Sequence, residues 1–516
     1  MPEYARARMK DTCMTPESWQ NRWNSPLITY GWLVICCVAS GILAIIVSVH
    51  RPLWLDELYM LITVRRPFIN SLLQTEDYSA PLYQLITRLF VHRDIPETFF
   101  FRLPALMFAM FGLFSIWWLA KTLFSTMVAA MSIFIIGFNP CFLDHAAEAR
   151  PYSMFLLFSV LSVGTFYMCL ISYNRFSIMA YVCSSVLLVY THYFGLLVFP
   201  AQALTLLVYV VHTRQKAILK KMGFAMGTVF LLCIPAFYLI SRYISGGLIA
   251  LSGISEAHLA ALSFSRSGTS FFADTHLFIL CLWPLMVMAW NVLNRLRSKG
   301  FFGAESKDLS VQSCASWYLT PLLAIAWILF SWYLLVIVSC FEPGYSDRYV
   351  FPALVPFVLI LSAITISGPC RLPVLILMLV SYSYIFNIKN QIVYVNRDFP
   401  ELAAHLRSVN NSETIVFIAD LPVLNDIDPV ECGLRYYGYA ETNVLHLALA
   451  VKTGGAGLEI QKPDLLNKDD HYFVVTRKPE YEHCVDDYMA GSALQFSKAR
   501  FGWLTLYEVH KLPTQL

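Results

Sequence analysis

The sequence is poor in charge: lysine, arginine, aspartate and glutamate together make up only 14% of its 516 residues. A soluble domain usually carries about a quarter charged residues, so the deficit excludes a chain that is wholly surrounded by water. The net charge of +3 is too small to suggest a polyanion partner. No basic run is interleaved with aromatic residues, which argues against nucleic acid binding. With 57% hydrophobic residues and a mean hydropathy of +0.58, the composition indicates a membrane protein.

Metal-binding spacings are also missing, since the sequence has no CxxC and no HExxH. We therefore expect neither a metal nor a cofactor. Most of the 13 cysteines lie inside apolar runs, where they behave as small hydrophobic residues. Cys432 and Cys484 share the polar C-terminal tail and could pair in an oxidising compartment, which the sequence leaves open. Internal repeats and low-complexity segments are not visible.

Eleven apolar runs approach the roughly twenty residues that a helix needs to cross the hydrocarbon core. They lie at 30–49, 99–119, 126–140, 153–173, 176–191, 194–211, 222–240, 276–293, 316–339, 349–367 and 372–388. The third and the fifth are short, so the predicted number is about eleven. The first run follows a polar tail and is not followed by a small-residue cleavage site. It is predicted to be a retained helix rather than a signal peptide.

The orientation follows from the distribution of lysine and arginine. With a cytoplasmic N-terminus, no lysine before Lys389 falls in an outer loop. The inner segments hold Arg6, Arg8, Lys10, Arg22, Lys121, Arg175, Arg214, Lys216, Lys220, Lys221, Arg295, Arg297, Lys299, Lys307 and Arg371. The prediction is a cytoplasmic tail (1–29), a membrane domain (30–388, with its first outer loop at 50–98) and a soluble non-cytoplasmic domain (389–516). A bacterial inner (plasma) membrane is favoured over the endoplasmic reticulum because of the outer α/β tail and the absence of retention signals.

Two of the outer segments have predictable structure. The C-terminal tail alternates β-rich runs (Glu413–Ala419 and Tyr472–Thr476) with an amphipathic helix at Pro400–Val409, which indicates a small α/β domain. In the first outer loop, Leu55–Val64 and Pro81–Val91 carry apolar residues at helical spacing. Such helices are expected to lie flat on the membrane surface.

Polar clusters in the outer segments are the candidate site. Asp56 and Glu57 follow the first span, where carboxylates are costly to desolvate; alternatively Asp56 only caps the next helix. Asp77 and Tyr83 lie later in the same loop, where the alternative is a turn that enters a helix at Pro81.

Three more clusters follow on the same side. Glu148, Arg150 and Tyr152 stand at the entrance of a helix, where an anion is welcome, and an arginine there suits a lipid phosphate; the alternative is a local Glu–Arg pair. His192 lies in the turn between the fifth and sixth spans and could equally be interfacial packing. Arg348 and Tyr349 precede the tenth span and could equally be an interfacial anchor. The three clusters extend from Asp144 to Tyr152, from Thr191 to Tyr193, and from Glu342 to Tyr349.

The ordered set of motifs WLDE, DYSAPLY, EARPYS, THYFG and DRYVFPALVP resembles the polyprenol-phosphate-sugar-dependent glycosyltransferases of the GT-C fold. Within this group, the motifs are most similar to those of the protein O-mannosyltransferases and the bacterial lipid A aminoarabinose transferase. The resemblance covers roughly residues 50–365. One departure concerns Ser79-Ala80-Pro81-Leu82-Tyr83, where the family often has His-Pro-Pro-Leu-Tyr.

The resemblance implies a polytopic α-helical enzyme that moves a sugar from a polyprenyl-phosphate carrier to a glycan, lipid or protein acceptor on the outer face. It implies Asp56 as the catalytic base with Glu57 beside it, and Arg150 and Arg348 as ligands of the carrier phosphate. A lipid phosphate is a good leaving group once arginines neutralise its charge, and one carboxylate can activate an acceptor hydroxyl. The alternatives are a transporter or flippase for a lipid-linked glycan, which needs polar groups near the bilayer midplane, and an assembly protein whose outer domain binds partners.

Overall fold

The computed structural model describes residues 26–67, 69, 80–91, 98–243, 319–331, 351–367 and 398–409, and, in the C-terminal part, 415–420, 434, 436, 444–451, 458–460, 471–476, 485–487, 489, 494–501 and 504–511. It divides into two compact units. The first comprises residues 1–47, 78–87 and 102–387, and the second 48–77, 88–101 and 388–516. Among the predicted features, the spans at 276–293 and 372–388, Asp77, Arg348, Tyr349, Cys432 and Cys484 lie outside the described residues.

The helices follow the predicted apolar runs closely. They are α1 (Pro26–His50), α2 (Leu55–Arg65), α3 (Pro81–Arg88), α4 (Thr98–Leu123), α5 (Thr126–Gly137), α6 (Pro140–Ala146), α7 (Tyr152–Ile171), α8 (Arg175–Thr191), α9 (Val198–Thr213), α10 (Lys216–Leu232), α11 (Ile234–Tyr243), α12 (Leu319–Ser331), α13 (Leu354–Ser367) and α14 (Asp398–Val409). A 3-10 turn, Tyr193–Leu197, precedes α9. Four of the described helices are long and apolar enough to cross a membrane, and a bent helix pair adds a fifth. The total of about eleven spans stays a prediction.

Short polar residues set the helix boundaries in the first unit. The hydroxyl of Ser125 accepts a hydrogen bond from the Val128 amide, and the side chain of Asn139 accepts from the amides of Cys141 and Phe142. The Asn174 side chain likewise accepts from the Ser177 amide at 2.8 Å. These side chains replace the carbonyl partners that the first amides of a helix lack. They therefore fix where α5, α6 and α8 begin.

The run predicted at 222–240 as one span consists of two helices. Helices α10 and α11 meet at Cys233 with a bend of 50°. Pro235 has no amide hydrogen and its ring conflicts with the preceding turn, so a straight helix cannot continue through it. The amide of Cys233 instead donates to the carbonyls of Val229 and Phe230 and ends α10.

The helix predicted at Leu55–Val64 is confirmed as α2, but it is not exposed on one side. Leu58, Met60 and Leu61 are fully buried, and Glu57 is as well. A guanidinium group closes its last turn: Arg88 donates to the carbonyl oxygens of Thr63 (3.0 Å) and Arg66 (2.7 Å). Protein surrounds α2 on most sides, which the periodicity of its apolar residues does not reveal.

Neutral polar side chains join three helices in the interior of the first unit. The Gln202 amide donates to the Ser162 hydroxyl at 2.9 Å, and the Tyr181 hydroxyl donates to the Gln202 carbonyl oxygen at 3.0 Å. Ser162 and Ser185 share a hydrogen bond of 2.8 Å. Interhelical hydrogen bonds of this type hold membrane helices together because lipid offers polar groups no alternative partner.

The second unit contains the predicted α/β domain. Its six strands are β1 (Ile415–Asp420), β2 (Val444–Val451), β3 (Leu458–Ile460), β4 (His471–Thr476), β5 (Leu494–Phe501) and β6 (Leu504–Lys511), in the order β3-β2-β1-β4-β6-β5. Strand β1 pairs in parallel with β2 and β4, while the outer pairings are antiparallel. The core includes Phe417, whose ring stands edge-on to Tyr472 at 5.5 Å. Helix α14 lies against β5 and β6, with the His405 and Phe501 rings 5.2 Å apart.

Candidate functional site

The first unit brings four of the predicted site residues into one cluster. Glu148, Arg150, Tyr152 and His192 come from two turns that are distant in sequence, one between α6 and α7 and one between α8 and α9. The Tyr152 and His192 rings lie 6.0 Å apart, and the Arg150 guanidinium lies 6.0 Å from the centre of the Tyr152 ring.

The local backbone explains why Arg150 is held at the start of a long helix. After α6, the Arg150 amide donates to the Glu148 carbonyl at 2.7 Å, and Pro151 follows before α7 begins at Tyr152. Proline suits this position because it lacks an amide hydrogen and its φ is already helical. Arg150 is 7% exposed, so its charge lies in a region largely withdrawn from solvent. A buried guanidinium beside a helix N-terminus favours the binding of an anion.

His145 is a partner of Glu148; it lies within the predicted cluster from Asp144 to Tyr152 but was not singled out there as a site residue. Its Nδ1 lies 3.4 Å from Glu148 Oε2, and Ser153 donates a hydrogen bond to its carbonyl oxygen. Burial alone would lower the pKa of His145, but the neighbouring Cys141 and the hydrogen bond to Glu148 reverse this effect and raise the pKa well above its ordinary value. The imidazole ring packs against Tyr152 at 4.8 Å and Phe351 at 4.6 Å. His145 therefore orients the Glu148 carboxylate.

His192 is kept neutral by its surroundings. Burial, and next to it the positive charge of Arg150, lower the pKa of His192 to about 3. Its Nδ1 accepts a hydrogen bond from the Phe194 amide at 3.3 Å, which leaves the ring hydrogen on Nε2. The ring stacks on Phe155 at 4.7 Å. This neutral imidazole can donate one hydrogen bond from Nε2 without adding a charge.

Asp56 and Glu57 lie in the second unit, at the start of α2. Glu57 is fully buried, and its Oε2 accepts a hydrogen bond from the Trp54 amide at 3.3 Å, so it closes the first turn of the helix. The neighbouring Asp56 is half-buried. Of the two carboxylates, Glu57 therefore orients the loop that enters α2, while Asp56 has the greater access to solvent.

Tyr83, which was predicted as a site residue, and two further arginines are also buried. Tyr83 is fully buried in α3, in the first unit. Arg102 is fully buried near the start of α4, and Arg51 is 3% exposed at the end of α1. An arginine inside a membrane helix indicates a functional site by default. A charged residue within the apolar run 99–119 was the signal in the sequence that could have identified Arg102.

Comparison with solved structures identifies the architecture. Over 93% of this chain and 98% of the other, the structure superposes on ArnT from Cupriavidus metallidurans with a TM-score of 0.53 and 11% sequence identity. The same values hold for that protein bound to undecaprenyl phosphate. The chain has the GT-C fold. It is accordingly a multi-pass membrane protein with a C-terminal α/β domain.

The GT-C assignment rests on structure, since no protein-family model and no curated protein sequence matches the chain. The oligosaccharyltransferase of Archaeoglobus fulgidus is a more distant structural match, with a TM-score of 0.41, 11% identity and coverage of 82% of this chain and 65% of the other. The fold resemblance that the ordered motifs predicted is confirmed. The roles of individual side chains stay predictions.

Proposed function

We propose that the protein is a glycosyltransferase that moves a sugar from a polyprenyl-phosphate carrier to a glycan, lipid or protein acceptor on the non-cytoplasmic face of the membrane. The observation that carries the proposal is the GT-C fold along nearly the whole chain, shared with an ArnT that has been solved with undecaprenyl phosphate. The site residues expected from the motifs are compatible with that chemistry. The sugar and the acceptor are left open.

Arg150 is proposed to bind the carrier phosphate. Its guanidinium is buried, rests beside the Tyr152 ring and stands at the entrance of α7. Two parallel charged hydrogen bonds from a guanidinium match a phosphate group. They also neutralise the charge that develops on the phosphate as the sugar departs. Arg348 and Tyr349 are proposed to assist on the strength of the motif alone, as is Asp77.

Asp56 is proposed as the base that takes the proton from an acceptor hydroxyl as the hydroxyl oxygen attacks the sugar. The C–O bond to the carrier phosphate breaks in the same step, which inverts the configuration at the anomeric carbon. If the acceptor is already an anion, Asp56 positions the acceptor or the sugar instead. Glu57 acts as a positioning residue because its buried carboxylate holds the Trp54 amide at the entrance to α2.

The decisive experiment is genetic complementation read by mass spectrometry. Deleting the gene should remove one sugar from an extractable glycolipid or surface glycan, and the wild-type gene should restore it. Asp56→Asn and Arg150→Ala should fail to restore it, although both proteins reach the membrane in normal amounts. Arg175→Ala is the matched control, since Arg175 begins α8 at the predicted cytoplasmic side and should complement fully.

Binding of the polyprenyl-phosphate carrier distinguishes the role proposed for Arg150 from the role proposed for Asp56. Undecaprenyl phosphate should raise the unfolding temperature of the wild-type protein and of Asp56→Asn, but not of Arg150→Ala. Losing a charge-assisted pair costs about 1.5–3 kcal/mol, which is roughly a 10- to 150-fold loss of affinity. Full glycan transfer by both variants would end the proposal. Transport of a lipid-linked glycan by liposomes that contain Asp56→Asn would favour the flippase alternative.

A further inference from the structure

Two histidines and a glutamate meet on one face of the C-terminal sheet, and none of them is among the residues proposed for the transfer reaction. His471 of β4 is directly opposite His510 of β6, and Glu508 lies two residues before His510 on the same strand. Since side chains alternate across a strand, all three point to the same face. The potential ligand atoms of the three lie within 4.8 Å of one another.

We propose that His471, Glu508 and His510 form a site for a divalent transition metal ion of the zinc class. Imidazole nitrogen and carboxylate oxygen are ordinary zinc ligands, and two histidines with one carboxylate are a known protein ligand set for this ion. A fourth position would be open to water or to an incoming ligand. This proposal does not depend on the proposed transferase activity, because it concerns only the C-terminal sheet.

The distances agree with such a site. Glu508 Oε1 lies 3.2 Å from His471 Nε2 and 3.5 Å from His510 Nε2. Zinc binds these atoms at about 2.0–2.2 Å, so two ligands of a tetrahedral ion are about 3.3–3.5 Å apart. Two of the three ligand separations are therefore already close to those of a zinc complex.

The surroundings of the cluster also resemble those of a metal site. The Ser497 hydroxyl, on the adjacent strand β5, donates to Glu508 Oε2 at 3.5 Å and leaves Oε1 directed at the histidines. The buried ring of Phe473 lies 5.1 Å from His471 and provides an apolar floor. A hydrogen bond that orients a ligating carboxylate strengthens metal binding, and so does an apolar wall beside the site. The side chains remain about a third to a half exposed, which allows an ion to enter.

Metal binding requires the stacked histidine rings to separate and their ring hydrogens to be suitably placed. The His471 and His510 rings are stacked, 4.3 Å apart and within 3° of parallel. The lone pairs of parallel rings point in the same direction and do not converge on one ion. His510, the more exposed of the two at 53%, must turn out of the stack. Each Nε2 atom must also offer its lone pair to the ion, so the ring hydrogen of each bound histidine must be on Nδ1.

The test is metal titration of the full-length protein in detergent, with any polyhistidine tag removed. Isothermal titration with Zn²⁺ should show one ion per chain, and Co²⁺ should give the intense visible absorption of a tetrahedral complex. His471→Ala, His510→Ala and Glu508→Gln should each weaken binding by more than about 100-fold, and Ser497→Ala by about 10-fold. His405→Ala, a histidine on α14 that packs on Phe501, should bind as the wild type does.

Hydrogen exchange provides a readout that is independent of affinity. Zn²⁺ should slow amide exchange in β4 and β6 of the wild-type protein and leave the membrane helices unchanged. In the three ligand variants the ion should have no such effect, and their exchange without zinc should match the wild type, which excludes misfolding. Undiminished binding by His471→Ala and His510→Ala, or failure of the wild type to bind one ion per chain, would overturn the proposal.

Discussion

Gly164 offers the sharpest test of how the membrane helices pack. It is buried in the middle of α7, and a Cβ atom at this position would lie 2.3 Å and 2.6 Å from two ring carbons of Trp118 in α4. Ordinary contacts begin at 3.4 Å, so the indole would have to move by about 1 Å. Overpacking of this kind costs about 1–3 kcal/mol. Gly164→Ala should therefore destabilise the helix bundle, because small residues are what allow membrane helices to approach closely.

The control is Gly223→Ala in α10. Both glycines lie in helices, so the helix propensity of alanine, worth about 1 kcal/mol, contributes to both substitutions. A Cβ at Gly223 meets nothing within 4 Å. The difference between the two variants thus isolates the conflict with Trp118, and we expect it to be about 1–3 kcal/mol. Titration with a denaturing detergent in mixed micelles, followed by circular dichroism, measures it.

A second substitution completes this test. Trp118→Phe removes the outer part of the indole and should recover most of the loss in the Gly164→Ala background. The two effects should then be strongly non-additive, as is usual for residues in contact. Equal stability of Gly164→Ala and Gly223→Ala, or the absence of any rescue by Trp118→Phe, would refute the packing described for α4 and α7.

Three further predictions concern the polar contacts and the turns. Gln202→Leu removes two interhelical hydrogen bonds and should cost about 0.6–1.7 kcal/mol in the same denaturation assay; no change would mean that these bonds are not formed in the membrane. Gly195→Ala would bring a Cβ to 2.6 Å from the Leu188 side chain and 3.2 Å from its carbonyl oxygen, so it should displace the His192 turn and lower glycan transfer more than Gly223→Ala does. Arg88→Met removes the two bonds that close α2 and should speed amide exchange in its last turn by about 100-fold or more, since the two bonds are each worth about 1.5 kcal/mol or more; unchanged exchange would contradict that role.

The fold was largely predictable because lipid imposes a strong constraint on sequence. A membrane helix must be apolar over its whole length, so α4 and α7 begin within one residue of the predicted runs. The strand at His471–Thr476 was equally visible from its β-rich composition. The break at Cys233 was missed because hydropathy ignores the one property that matters there, the missing amide hydrogen of Pro235.

The candidate site was predictable only in part, since side-chain partnerships are not local. The motifs pointed to Glu148 and Arg150, and a pair between them was the simplest alternative. The structure adds a partner that the motifs did not indicate, His145, whose Nδ1 lies 3.4 Å from the Glu148 carboxylate. The zinc-class cluster could not be found by spacing at all, because His471 and Glu508 are 37 residues apart and meet only through the pairing of β4 with β6.

The distribution of polarity within the first unit bears on the choice between a transferase and a transporter. Among its described residues, the buried arginines and glutamates are Arg102, Glu148 and Arg150, and each lies near the beginning of a helix rather than in its middle. The middle of α7 and α8 contains instead the neutral pair Ser162 and Ser185, joined to Gln202. A transporter needs charged or unwound groups near the bilayer midplane to receive its substrate. Neutral bonds at mid-span hold the described helices together. The buried charges of these helices lie at helix ends, where they can contact a phosphate at the depth of the lipid headgroups, as the proposed transfer requires.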